Sequence, residues 1–189
     1  MKINKMWMAV LASVLLAGCS MINGDRTFRH AAWGMDMDEV KSSESSDAVL
    51  IEKSKKFKEF RIDPKPEELV YTSTLFDQPV IIRYNFNRGE LVTASYTADA
   101  QYYTYTEEDM MKFSKRIKEK LTAKYGQPET TEDGAVVWEN KKTVITIWDE
   151  PEMGFVNIFY SSQEYMDQVN RQIEKYEEDK KQEQQAVDA

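Results

Sequence analysis

The strongest constraint on the fold is a stretch of alternation between residues 79 and 98. Val80, Ile82, Tyr84 and Phe86 occupy every second position. Successive strand side chains point to opposite sides, so these four share one face of a strand. Asn87-Arg88-Gly89 follows and predicts a three-residue hairpin loop, with the glycine where the backbone needs positive φ. Residues 91–98 form a second run, with Val92, Ala94 and Tyr96 on one face. Two alternating runs around a tight loop commit this stretch to antiparallel sheet with one buried face. A strand over residues 69–75, turned at Asp77-Gln78, precedes them.

A sheet with one apolar face needs a cover, and two helices can supply it. Asp36 followed by Glu39 has capping-box spacing and predicts a short helix over residues 37–44 with Met37 and Val40 turned inward. Trp33-Gly34 forms the loop before it, with the indole placed to plug the seam between sheet and helix. The second helix is better marked. Thr106 is its N-cap, Glu107, Glu108 and Asp109 fill the first turn, and Gly126 and Pro128 end it. Met110, Phe113, Ile117 and Leu121 make its apolar stripe. Three more strands are expected over residues 135–139, 143–148 and 155–160.

The two parts therefore share an order, capped helix then three antiparallel strands, over residues 37–98 and 107–160. The expected architecture is an α+β domain over residues 28–161. Its tandem α-βββ units (about 28–100 and 101–161) form an antiparallel sheet with helices packed on one face. Between the first helix and the sheet, residues 48–51 suggest a short strand. Residues 53–61 carry five basic residues around Phe57 and Phe60, either a solvated connection or a contact for anionic lipid headgroups. Residues 162–189 read as an acidic helical tail, partly disordered. Met166, Val169, Ile173 and Tyr176 form its apolar stripe, for docking on its own domain or on a partner helix, and fraying is expected beyond Tyr176.

The first residues are a leader. Lys2 and Lys5 precede an apolar stretch at residues 6–17. A helix needs about 20 residues to cross a hydrocarbon core of roughly 30 Å, so this stretch is a secretory signal and not a span. Leu16-Ala17-Gly18-Cys19 closes it and holds the only cysteine of the chain. This resembles the lipobox of bacterial lipoproteins. The resemblance implies removal of residues 1–18 and lipidation of Cys19, so that residues 19–27 become a lipidated tether and acylated Cys19 holds the chain on a lipid bilayer. Ser20 stands where an aspartate would resemble an inner-membrane retention signal. The implied place is the cell envelope, on the periplasmic face of the outer membrane, or the outer face of the plasma membrane where there is no outer membrane.

Composition then removes function classes. A net charge of −8 opposes phosphate backbones, so no nucleic-acid partner is expected. One cysteine and one histidine exclude internal disulfides, cysteine zinc sites and two-histidine metal motifs. Phosphate-cradling glycine loops and nucleophile elbows are absent from the sequence. No catalytic activity, metal or cofactor is expected. His30 reads as a structural or surface histidine, since no serine or cysteine motif accompanies it. Asp36, Asp38 and Glu39 read as caps, because calcium loops need more oxygen ligands and a glycine turn. Tyr102, Tyr103 and Tyr105 lie in the link between the halves. With Trp33 they are the candidate partner-binding residues, since loop aromatics bring large contact area at low entropic cost. The alternative for the tyrosines is packing of the crossover onto the sheet.

Three motifs carry a family resemblance. Trp33-Gly34-Met35 followed by Glu39-Val40 resembles the WGMS-x-E-E-V opening of a family of uncharacterised bacterial lipoproteins, with Asp36 in the serine position. Tyr84-x-Phe86-x-x-Gly89-x-Leu91-x-x-Ala94-x-Tyr96 resembles their central hairpin. Leu121-x-x-Lys124-Tyr125-Gly126-x-Pro128 resembles the end of their second helix. The fold this implies is similar to the β-lactamase-inhibitor-protein and BamE/OsmE-like groups, whose domains bind other proteins. The expected function is that of a membrane-anchored bacterial envelope lipoprotein, presenting its α+β domain to an envelope protein in an assembly, scaffold or inhibitor role. The alternative is binding of a small ligand or cell-wall glycan, with Trp33 and the tyrosines as stacking surfaces.

Overall fold

The computed structural model describes residues 26–51 and 65–187. Cys19, the signal and the basic stretch at 53–61 lie outside the described residues. The fold is α+β, with one antiparallel sheet and three helices among the described residues. The elements in chain order are α1 (Met37–Ser43), β1 (Val49–Leu50), β2 (Glu68–Leu75), β3 (Gln78–Asn87), β4 (Glu90–Asp99), α2 (Glu107–Tyr125), β5 (Glu129–Thr130), β6 (Val136–Glu139), β7 (Thr143–Glu150), β8 (Phe155–Ser162) and α3 (Gln163–Val187). A single turn of 3-10 helix (Pro151–Met153) separates β7 from β8.

The eight strands run in the order β1-β2-β3-β4-β8-β7-β6-β5. Each half is a meander that starts at an outer edge and ends at the centre, where β4 pairs with β8. Each half thus holds a fourth strand beyond the three of the α-βββ order: β1 is the short strand suggested at residues 48–51, and β5 is one the sequence does not predict. These two edge strands have two residues each, and β5 offers no alternation to read.

One face of the sheet is sealed. Val80, Ile82, Tyr84 and Phe86 of β3 lie beside Ala94, Tyr96 and Ala98 of β4, then Val156 and Ile158 of β8, then Ile145 and Ile147 of β7. Val40 of α1 and Met110, Phe113, Ile117 and Leu121 of α2 close over this surface. Each large side chain so buried contributes on the order of 1.5–3 kcal/mol. The capping box forms as its spacing predicts. Asp36 Oδ1 accepts from Asp38 N at 2.9 Å and Glu39 N at 2.8 Å, and Glu39 Oε2 accepts from Asp36 N at 2.9 Å. At α2, Thr106 Oγ1 accepts from Asp109 N at 3.1 Å.

The hairpins differ in detail from the sequence reading. Asn87 still pairs with Glu90, so the β3–β4 loop is the two residues Arg88 and Gly89, both at positive φ (56° and 85°). This is the primed turn whose twist suits a hairpin. The β2–β3 turn is Phe76-Asp77, one residue earlier than read, again with positive φ at both (52° and 67°). Phe86 pairs with Leu91 and Asn85 with Thr93, which leaves Val92 as a bulge. Leu91, 1% exposed, takes the core position that the alternation gave to Val92. Its backbone N–H and C=O are taken up by Met35 O at 2.8 Å and Gly34 N at 3.0 Å. The Trp33-Gly34-Met35 motif thus works as backbone, stitched to the bulge.

Helix α3 leaves the sheet. It follows β8 directly, with Gln163 N donating to Lys142 O at 3.0 Å. Met166 and Val169 are half-buried, whereas Ile173 is 51% and Tyr176 is 63% exposed. The stripe therefore does not dock on its own domain along its length. The helix also continues to Val187, past Tyr176 where the sequence predicts fraying. Its distal turns are rich in Glu, Lys and Gln, which are good helix formers without burial.

Candidate functional site

The face opposite the helices is different in kind. The same registers place Thr97, Asn157 and Trp148 in one row, and Ser95, Phe159, Thr146 and Val137 in the next. Phe155 and Glu150 continue it at the end of the hairpin. Trp148 is 50% exposed, and Phe155, Phe159, Thr146 and Val137 are partly exposed. Met153, in the turn beside them, is 73% exposed. Aromatic rings set among short hydroxyl and amide groups can bury area on a partner while keeping polar groups paired. Sequence reasoning did not single these residues out. The usable signal was the parity of residues 144–148 and 155–159, which a tight hairpin superposes on one face.

Two of the predicted tyrosines border this surface. Tyr102 and Tyr103 lie half-buried against Ile51, Val70 and Ile81 on the same side of the sheet. Tyr105 turns to the other side, packs on the main core, and donates its hydroxyl hydrogen to Pro79 O. The Tyr103 and Tyr105 rings meet edge to face at 6.1 Å. Burial pushes both phenols up. The trio therefore straddles the end of the β3–β4 hairpin instead of forming one patch. Trp33 is on the sealed side, where its Nε1 donates to Thr143 Oγ1 at 3.0 Å. His30 Nδ1 lies 3.3 Å from Arg26 Nη1, and Asp36 and Glu39 are engaged in the cap.

Among the described residues a largely buried polar cluster joins distant segments. Arg29 Nε donates to both oxygens of Glu44 at 3.1 Å, and its Nη2 donates to Ser45 Oγ at 3.0 Å and to Asp47 Oδ2 at 3.3 Å. Tyr84 donates to Glu44, and Ser73 Oγ donates to Asp47 at 2.8 Å. The Arg29 and Glu44 side chains are 10% and 3% exposed. Burial pushes the Tyr84 phenol up, and its bond to Glu44 adds to this. Burial also pushes Tyr71 up to about 12, with the Glu44 charge contributing. The Ser45 and Ser73 hydroxyls hold the Asp47 carboxyl well below the usual carboxylate range, and Arg29 adds to them. The cluster clamps the turn at Phe28 to the C-terminus of α1 and to β3. It holds no nucleophile beside a free base.

A second polar group lies under a wide depression of about 660 Å³ beside α2. Ser114 donates to Asp149, and Lys118 Nζ lies 2.9 and 2.8 Å from the two Asp149 oxygens. A serine–lysine catalytic pair needs an uncharged lysine facing the hydroxyl. Here the lysine is paired to the carboxylate that also accepts the hydrogen bond of the serine hydroxyl, so the group ties α2 to β7.

A smaller cleft of about 210 Å³ opens between α2 and the sheet. Phe28, Phe76, Tyr160, Ile117 and Leu121 form its walls, with Lys120 and Lys124 at its rim. Phe76 stands at φ 52°, a left-handed conformation that costs a non-glycine residue roughly 1–2 kcal/mol. The Arg116 guanidinium sits 4.4 Å above its ring. Among the described residues no three His, Cys, Asp or Glu side chains converge as a metal site. Nor is any described helix long and apolar enough to cross a membrane.

The family model of the TP0088 domain matches residues 26–175. The chain belongs to that family, and the match takes in every described strand, α1, α2 and the part of α3 that carries the apolar stripe through Ile173. No curated protein and no solved structure matches the chain.

Proposed function

We propose that this TP0088-domain protein is a non-catalytic envelope lipoprotein that presents the open sheet face of β4, β8, β7 and β6 to a protein partner. One observation carries the reading: Trp148, Phe155 and Phe159 remain accessible on a face whose opposite side is covered by α1 and α2. Acylated Cys19 holds the protein on the periplasmic face of the outer membrane, or on the outer face of the plasma membrane where that is the only one. The tether of residues 19–27 is short, so the partner is itself an envelope protein near the bilayer. Of the sequence candidates, Tyr102 and Tyr103 form the border of the proposed surface, while Trp33 and Tyr105 support it from the sealed side.

Kinship of fold with the β-lactamase-inhibitor-protein and BamE/OsmE-like groups is part of this proposal. Its support is the paired order of the two halves and the three motifs at Trp33, Tyr84 and Leu121. The cleft beside α2 favours a second reading, binding of a small ligand. A glycan is the poorer fit, since the cleft walls are mostly apolar and the Trp33 indole N–H is already committed to Thr143.

Crosslinking of the full chain in intact cells tests the first reading. One stoichiometric envelope protein is expected with the wild type, lost in Trp148→Ala/Phe159→Ala at unchanged abundance. Recovery of the same partner by the double variant contradicts the assignment of the face.

A further inference from the structure

We propose that the cleft between α2 and the sheet takes the apolar chain of a single-chain carboxylate amphiphile of about eight carbons, and that Lys120 and Lys124 hold its carboxylate. The inference deepens the small-ligand reading and is independent of the partner face on the other side of the sheet.

Size and lining define the apolar part. The cleft of about 210 Å³ is walled by Phe28, Phe76, Tyr160, Ile117 and Leu121. At about 30 Å³ for each water-sized group, and a methylene is of similar size, it holds about seven such groups. That is the tail of octanoate, and it is too little for a two-chain lipid.

Charge defines the head. Arg116, Lys120 and Lys124 recur at four-residue spacing, so they form one row along α2. Arg116 covers Phe76, and the two lysines stand at the rim. Other lysines of α2 already have carboxylates, Lys112 at 2.5 Å from Glu108 and Lys118 at 2.8 Å from Asp149. Lys120 and Lys124 make no ion pair among the described residues, although Lys124 Nζ lies 4.8 Å from the centre of the Tyr125 ring. In a chain of net charge −8, two such cations over an apolar opening select an anion with an apolar body.

The strained turn is the third observation. Its tip carries Phe76 at φ 52°, a position where asparagine or glycine is relaxed and a bulky residue is an outlier. The phenylalanine brings its ring to the cleft wall, beneath Arg116. Local strain that persists at a cavity is a pointer to function.

The test uses the full chain in phosphatidylcholine nanodiscs and octanoate carrying a terminal diazirine, with crosslinks mapped by mass spectrometry. Labelling is expected at peptides holding Phe28, Phe76 or Leu121. Octanoate should compete for it, and octylamine and octan-1-ol should compete at least fivefold less well. Lys120→Gln/Lys124→Gln should lower labelling at least fivefold with Tm unchanged. Phe76→Gly should lower labelling while Tm holds or rises, which separates a binding role from a folding one. Trp148→Ala/Phe159→Ala should label as the wild type does, so this site and the partner face fail separately. Scattered labelling, equal competition by octylamine, or full labelling of the lysine variant overturns the proposal. So does loss of labelling when phosphatidylglycerol enters the disc, since the ligand would then be a membrane lipid.

Discussion

The two faces of the sheet are built from the same strands and differ in what each second residue does. On the helix side, Tyr84, Tyr96, Ile158 and Ile147 are at most 9% exposed, and α1 and α2 close over them. On the other side, Thr97, Asn157, Thr146 and Val137 separate Trp148, Phe155 and Phe159, and the rings remain reachable by a partner. Alternation along a strand therefore records two demands, one of folding and one of binding. The consequence is that damage to the two faces should separate. The sealed face governs stability, and the open face governs which protein partner is held.

Substitutions can break or sharpen that contrast. Phe113→Ala, which empties the stripe of α2 over the sealed face, should cost about 3–5 kcal/mol in chemical denaturation. Phe159→Ala on the open face should cost less than about 1 kcal/mol, and equal losses would erase the distinction. Glu44→Ala leaves the Arg29 guanidinium and the Tyr84 hydroxyl without their shared partner at a site 3% exposed. A loss of about 3 kcal/mol is expected, as for other broken buried pairs. Gly154 stands at φ 73°, and a Cβ there would meet the Ala100 Cβ at 2.5 Å. Gly154→Ala should cost about 2 kcal/mol and tests whether the turn between β7 and β8 is held against the end of β4.

The smallest effect is on pH dependence. Asp47 has a lowered folded pKa, from the Ser45 and Ser73 hydroxyls and then Arg29. Its stabilisation is fully present above the unfolded value of about 3.9 and is lost as pH falls through the folded one. Tm measured from pH 5 to pH 2 should fall more steeply in the wild type than in Asp47→Asn. Parallel curves would show that the hydroxyls do not favour the carboxylate in the folded state.

The sequence made some of this legible because local chemistry has local signatures. The Asp36 capping box, the Thr106 cap, the α2 stripe and the alternation of β3 all depend on residues within four positions of one another. Val92 was misplaced because a bulge breaks parity without a mark in composition. The sequence places this turn at Asp77-Gln78 because phenylalanine is not a turn residue, whereas in the fold Phe76 takes the first turn position with its ring beneath Arg116. The Arg29–Glu44–Tyr84 clamp joins residues up to 55 positions apart and leaves no pattern. Tyr102, Tyr103 and Tyr105 are neighbours in sequence, but the crossover passes from one side of the sheet to the other between them. The Trp148–Phe159 surface was written in two strands and needed their register to be seen.

Site-specific photocrosslinking in intact cells tests the central claim most directly. A photoreactive phenylalanine is placed singly at Trp148 or Phe159 on the open face, and at Lys115 or Glu119 on the outer side of α2. The account predicts one discrete adduct from the first pair of positions and none from the second. Adducts only from α2, or equally from all four positions, would contradict it.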